Sequence, residues 1–175
     1  MALSIQTDRL SLRVLEEQDA SFILELLTDP DWLKYIGDRG VHNLEDARRY
    51  IDEGPRAMYR NKGYCLLRVS LKENDQPIGL CGLLKRDNLP HPDLGFAFLP
   101  VGRGAGYARE AADAVLANAD EQGLETLMAF CVPDNQPSIR LLEKAGFYYA
   151  GPYQFAEGED SLSLYRRDCP MHAAS

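Results

Sequence analysis

"PVGRGAGYAREA", Pro100 to Ala111, sets three glycines and an arginine just ahead of a run with helical spacing. A helix that starts at Gly104 to Ala108 leaves its first N–H groups unpaired and turns the positive end of its dipole outward. Small residues there let an anion reach the backbone, because a Cβ would block the approach or forbid a positive φ. The stretch therefore reads either as a bare strand-to-helix turn or as a cradle for phosphate, with Arg103 as a fork of donors beside it. Two familiar phosphate loops do not fit. G-x-x-x-x-G-K-[ST] needs Lys and Ser/Thr where Tyr107 and Ala108 stand, and G-x-G-x-x-G counted from Gly102 or Gly104 lacks its third glycine.

Working outward, "DLGFAFLP" before the loop is an apolar strand that ends in proline. Further upstream, "YCLLRVSLK" and "IGLCGLLKR" flank the turn formers "ENDQP" and read as a hairpin. Downstream, "GYAREAADAVLANADEQ" is a helix closed by Gly123, "TLMAFCV" a buried strand, and "NQPSIRLLEKAGF" a helix that stops at Gly146. "YYAGPYQF" and "SLSLYRR" are two final strands. At the start, the alternation in "RLSLRVL" predicts a half-buried strand. "EEQDASFILELLTD" follows as a helix stopped at Pro30, then the short piece "DPDWLKYIG". "NLEDARRYIDEGPRAMYR" is a second helix, capped by Asn43 and bent or broken at Gly54 and Pro55. Strand, two helices, three strands, helix, strand, helix and two strands make one α/β (α+β) domain over residues 1–175. The simplest packing is a mixed sheet of about seven strands flanked by helices.

A chain of 175 residues that is 45% hydrophobic suits one such domain. Its net charge of −8 argues against duplex nucleic acid or an anionic membrane as partner, so any anion must be caught locally. No run approaches the roughly 20 apolar residues of a membrane span. The opening "MALSIQTDRLSLRVL" lacks the basic and apolar blocks of a secretory signal, so a cytoplasmic location is expected. Cys65, Cys81, Cys131 and Cys169 form no C-x-x-C pair, and three lie in strand-like runs, which predicts structural thiols. His42, His91 and His172 are scattered, and no metal site is expected.

Read as R-x-x-G-x-A (Arg103, Gly106, Ala108), with "DLGFAFLP" before it and "NQPSIRLLEKAGF" after it, the loop resembles the acetyl-CoA motif of the Gcn5-related N-acetyltransferases. "TDRLSLRVLEEQDA" and the late N-x-x-S-x-R-L-L-E-K-A-G-F are similar to the RimJ- and RimL-like branch. The resemblance implies a mostly antiparallel sheet, splayed at the strand before the loop, with acetyl-CoA as donor. Backbone around Phe96, Phe98 and Leu99 would pair with the pantetheine arm. The diphosphate would sit on the N–H groups of Arg103, Gly104, Ala105, Gly106, Tyr107 and Ala108, and Asn135 would lie near the thioester. Ser138 stands where that branch has its proposed acid for the leaving thiolate, and the tyrosine donor of other members falls at Leu142. An ordinary helix-start hydroxyl bonded to backbone is the alternative for Ser138.

Acetyl transfer to an amine needs a neutral nitrogen, donors for the developing oxyanion and a proton for the thiolate. Asp93 opens the cofactor strand where relatives often carry an acid, and can deprotonate the amine through water. His91, two residues earlier, shares that role if strand alternation holds, and solvated loop residues are the alternative for both. Trp32 and Tyr35 line an acceptor groove or pack in the core. Tyr107 packs on the sheet, and a role for Tyr148 or Tyr149 requires a different geometry. Asp29, Asp31 and Asp38 suit a cationic acceptor if they face the groove, and a solvated surface if they do not.

The expected activity is acetyl-CoA-dependent N-acetylation of a primary amine, such as a protein N-terminus. The alternatives are a catalytically idle acyl-CoA-binding module and an acetyltransferase of polyamines or aminoglycosides. A monomer or a homodimer is expected, with "YYAGPYQF" and "SLSLYRR" available to pair across a two-fold.

Overall fold

The computed structural model describes residues 2–170. The alternation in "RLSLRVL" becomes β2 (Leu10–Val14), which buries Leu10, Leu12 and Val14 on one face. Ahead of it lies β1 (Ser4–Gln6), a strand that sequence reading missed because its three residues offer one apolar side chain to any alternation. The expected hairpin is β3 (Leu66–Leu71) and β4 (Pro77–Leu84). The later strands are β5 (Asp93–Phe98), β6 (Thr126–Cys131), β7 (Tyr148–Tyr153) and β8 (Leu162–Asp168). Among the described residues eight strands, one more than expected, form a single sheet in the order β1-β2-β3-β4-β5-β6-β8-β7. Every neighbouring pair is antiparallel except β5 with β6. Because β8 slots between β6 and β7, only β7 of the two final strands offers a free edge to a second chain.

The helices are α1 (Ala20–Leu27), α2 (Pro30–Tyr35), α3 (Leu44–Ile51), α4 (Ala57–Lys62), α5 (Tyr107–Glu121) and α6 (Gln136–Lys144). Pro30 does not stop α1, which has already ended at Leu27. It opens α2, where a missing N–H costs nothing, and Asp29 caps that helix by accepting from the Asp31 N–H at 3.1 Å. Asn43 caps α3 as expected, at 2.8 Å from the Asp46 N–H. Gly54 and Pro55 widen the chain into a π-helical turn, Asp52–Arg56, that leads into α4 without a break.

Helices cover both faces of the sheet. On one, Ile78, Cys81 and Leu83 of β4 meet Ala111, Ala112, Val115 and Leu116 of α5. On the other, Leu80 meets Phe22, Ile23, Ala47 and Ile51 of α1 and α3. Packing of α5 across β1, β2, β4 and β5 carries its N-terminus to the end of β5. All four cysteines are free and buried, as small hydrophobes, and burial pushes the Cys65 thiol up to about 12.

Candidate active site

β5 and β6 are paired only at Asp93 with Met128 and Leu94 with Ala129. Beyond that point β5 stays with β4 to Phe98 and β6 stays with β8 to Cys131, so the two parallel strands part. The gap opens into a cleft of about 1230 Å³. Gly95 and Phe96 line one wall, Phe130 and Cys131 the other, and the Gly104–Ala108 turn and the start of α6 close its end.

At that end Gly104 and Gly106 take φ of +82° and +81°, the left-handed region that disfavours any side chain. Gly106 is the N-cap of α5, and no side chain caps the first-turn N–H groups of the helix. Arg9, which sequence reading left out of the site, holds this turn from outside. Its Nη1 donates to the Ala105 carbonyl at 3.0 Å, its Nε pairs with Glu110 at 2.8 Å, and its guanidinium lies 4.4 Å over the Tyr107 ring. Glu110 also accepts from the Thr7 hydroxyl at 2.6 Å and the Arg9 N–H at 3.1 Å. The signal was in "TDRL", but the loop lies 96 positions away from Arg9 and only the fold joins them.

The Arg103 side chain is not a free fork beside the Gly104–Ala108 turn. Its Nε and Nη2 donate to the Phe98 carbonyl at 2.9 and 2.6 Å, Nη1 to Asp31 at 2.6 Å and Nη2 to Asp29 at 3.1 Å. Leu99 is buried and its N–H donates to the Ile78 carbonyl at 2.9 Å, so its backbone turns to β4 and away from the gap. By alternation the backbone of Phe98 and Phe96 turns toward the gap, with the Phe98 carbonyl already taken by Arg103.

Asn135 caps α6 by accepting from the Ser138 N–H at 3.3 Å, and both residues line the cleft. Ser138 is half-buried there. Leu142 is fully buried in the core. Asp93 sits where β5 and β6 part, buried and paired with Arg86 at 3.3 and 3.4 Å. Burial lifts its carboxyl above the usual range and the Arg86 charge pulls part of that back. Arg86 also lies 4.8 Å over the ring of Phe155, which packs edge-on to Phe130 and Tyr153. His91 does not line the cleft: β5 begins only at Asp93, so the alternation that would align the two residues does not extend to it.

Trp32 and Tyr35 both line the cleft, and Trp32 is also core, with its Nε1–H donating to the Gly37 carbonyl at 3.1 Å. Asp29 and Asp31 face the cleft paired with Arg103, while Asp38 lies outside it, 3.6 Å from His42. Tyr148 and Tyr149 are exposed on β7, away from the cleft. Among the described residues no group of three or more His, Cys, Asp or Glu is placed to hold a metal ion, and His172 lies outside them. No helix there is long and apolar enough to cross a membrane.

The family described as the acetyltransferase (GNAT) domain matches residues 9–148. The uncharacterised N-acetyltransferase YnaD of Bacillus subtilis (strain 168) is 32% identical over 152 residues, 85% of each chain. The crystal structure of a GNAT-family acetyltransferase from Bacillus anthracis superposes with a TM-score of 0.79 at 28% identity, over 95% of this chain and 98% of that one. RimL, a ribosomal-protein α-N-acetyltransferase solved in complex with coenzyme A, shares the fold with a TM-score of 0.80 at 16% identity, over 95% and 98%. The chain belongs to the GNAT family and is an acetyltransferase.

Proposed function

We propose that this acetyltransferase takes acetyl-CoA as donor in the gap between β5 and β6 and acetylates a primary amine, the α-amine of a protein N-terminus. One observation carries the reading: the parted strands present the backbone of Phe96 along a cleft that ends at the uncapped start of α5. A pantetheine arm would extend the sheet beside Phe96, and the diphosphate would rest on the N–H groups of Gly104 to Ala108. Two left-handed glycines keep that approach open. The RimL structure with coenzyme A and the N-acetyltransferase relatives support the same donor.

Acetyl-CoA supplies a thioester whose acyl carbon the amine attacks and whose thiolate leaves. Ser138, in the first turn of α6, is the proton donor to that thiolate, and Asp93 is the base that takes the amine proton through water. Burial makes Asp93 more basic than an ordinary carboxylate, and Arg86 fixes its orientation. A carboxylate base suits an α-amine, which with a pKa near 7.8 is about one-third neutral at pH 7.5, against roughly a thousandth for lysine. Polyamines and aminoglycosides fit less well, because Asp29, Asp31 and Asp93, the carboxylates that line the cleft, are already engaged, Asp93 by Arg86 and the other two by the one Arg103.

Titration calorimetry with CoA, followed by thiol release over a panel of peptides, polyamines and aminoglycosides, tests the proposal. The expected result is CoA binding and turnover on peptide N-termini, with a rate that levels off by about pH 8.5 as the α-amine becomes neutral. A rate still climbing toward pH 10 would mark a lysine acceptor. CoA binding without turnover on any amine would leave an acyl-CoA-binding module instead.

A further inference from the structure

We infer that the side chain of Arg103 is a positioning residue for the acceptor wall and not a phosphate ligand: it clasps helix α2, and with it Trp32 and Tyr35, to the end of β5. The inference rests on the reading above, in which the cleft holds acetyl-CoA and α2 faces the acceptor. A guanidinium has five N–H donors in a rigid fork. Four hydrogen bonds already engage that fork, two to the Phe98 carbonyl and one each to Asp29 and Asp31. All of them run to acceptors on β5 and at the first turn of α2. The phosphate turn offers the N–H groups at the start of α5 without any side chain.

The clasp matters because α2 is six residues long, too short to hold itself in water. Its place depends on the burial of Trp32 and on the tie at its first turn. Asp29 does two jobs there: the same carboxylate oxygen accepts from the Asp31 N–H and from Arg103. Its side chain is only 11% exposed, so the pair is shielded from solvent screening on the Asp29 side. Asp31, the second partner, is half exposed and lies at 2.6 Å. One guanidinium shared by two carboxylates offsets one of their two negative charges, which weakens them as an anchor for a cationic acceptor.

Trp32 is the sole tryptophan of the chain and sits in α2, so its emission reports where that helix lies. The test compares wild type with Arg103→Met, Arg103→Lys and the double variant Asp29→Asn/Asp31→Asn, which keeps an N-cap of equal quality while losing the charge. In Arg103→Met and in the double variant, Trp32 emission should shift to the red and become more open to acrylamide quenching, with Arg103→Lys between them and wild type. CoA affinity by calorimetry should stay within about threefold, while the KM for a Ser-initiated peptide rises about tenfold with kcat nearly unchanged. Arg103→Met weakening CoA about tenfold or more with Trp32 emission unmoved would assign the guanidinium to the phosphates and overturn the inference. A red shift of Trp32 on saturating the wild type with CoA would overturn it too, since the clasp would then open on loading. If Arg103→Met fails to fold, the double variant decides alone, because it leaves the phosphate turn untouched. Failure of the wild type to bind CoA would sink the donor reading, and the Trp32 result on the variants would still decide the clasp.

Discussion

Ser138 and Asn135 occupy one turn at the start of α6, where the Asn135 oxygen is spent on the Ser138 N–H and the hydroxyl is left at the cleft. Ser138→Ala should lower kcat about 100-fold, the low end for a lost acid, with CoA affinity unchanged by calorimetry. Wild-type turnover would pass the proton to water. At Gly106 the φ of +81° makes any side chain strained by about 1–2 kcal/mol, yet an added Cβ meets nothing nearer than Arg9 Nη2 at 3.6 Å. Gly106→Val should therefore fold and lose most of its CoA affinity. Arg9→Ala releases the Ala105 carbonyl and the Glu110 pair together, and should weaken CoA about tenfold, with partial recovery in Arg9→Lys. The glycines were legible because the type of residue is the message, and Ser138 only because N-x-x-S resembles the family's late signature. Arg9 and the Arg103 clasp were not, since a cation declares its partner only when the chain has brought one to it.

At the scale of elements, the parting of β5 and β6 makes the cleft, and the tight packing of β3 against β4 and of β4 against β5 holds it. A Cβ on Gly82 would lie 2.0 Å from the Cys65 carbonyl oxygen, and one on Gly79 would lie 2.5 Å from that of Ala97. Backbone cannot yield as a side-chain tip can. Gly82→Ala should cost about 3 kcal/mol, the upper part of the range for overpacking, visible as a lower urea midpoint with the slope unchanged. The strands of this centre were readable from alternation and apolar runs, and α5 from its spacing. β1 was too short to show, and Pro30 misled because a proline reads equally as a helix stop or as a first-turn residue, and here it only opens α2.

For the molecule as a whole, α5 is tied to β8 by the fork of Arg167 on Asp120, at 3.0 and 2.9 Å. The Arg167 hydrogen bonds hold the Asp120 carboxyl below the ordinary range despite its partial burial. The unfolded chain thus binds this proton more tightly, so the pair stabilises the fold above the ordinary carboxylate pKa, and that stability is lost as pH falls through the native value. Arg167→Met should cost about 3 kcal/mol at pH 7 and flatten the acid limb of a thermal-melt series. Asp93 has the opposite sign. Burial raises its carboxyl, so its ionised form costs the native state, and stability falls as pH rises from the ordinary value to the raised one. Asp93→Asn should raise the Tm at pH 7 while lowering turnover, and a lower Tm would mean that the Arg86 pair outweighs the burial.

The sequence by itself determined most of the elements, the family and the glycine-rich turn ahead of α5, because strands, helices and left-handed glycines follow from neighbours along the chain. It also named Asp93, Ser138, Trp32 and Tyr35, residues that the cleft brings together. Only the tertiary structure decided that His91 stands outside, that Leu99 faces β4, that Arg103 is spent on α2 and that Arg9 braces the turn from 96 positions away. The reason is physical: a backbone conformation is chosen locally, whereas which charge meets which depends on how the whole sheet closes.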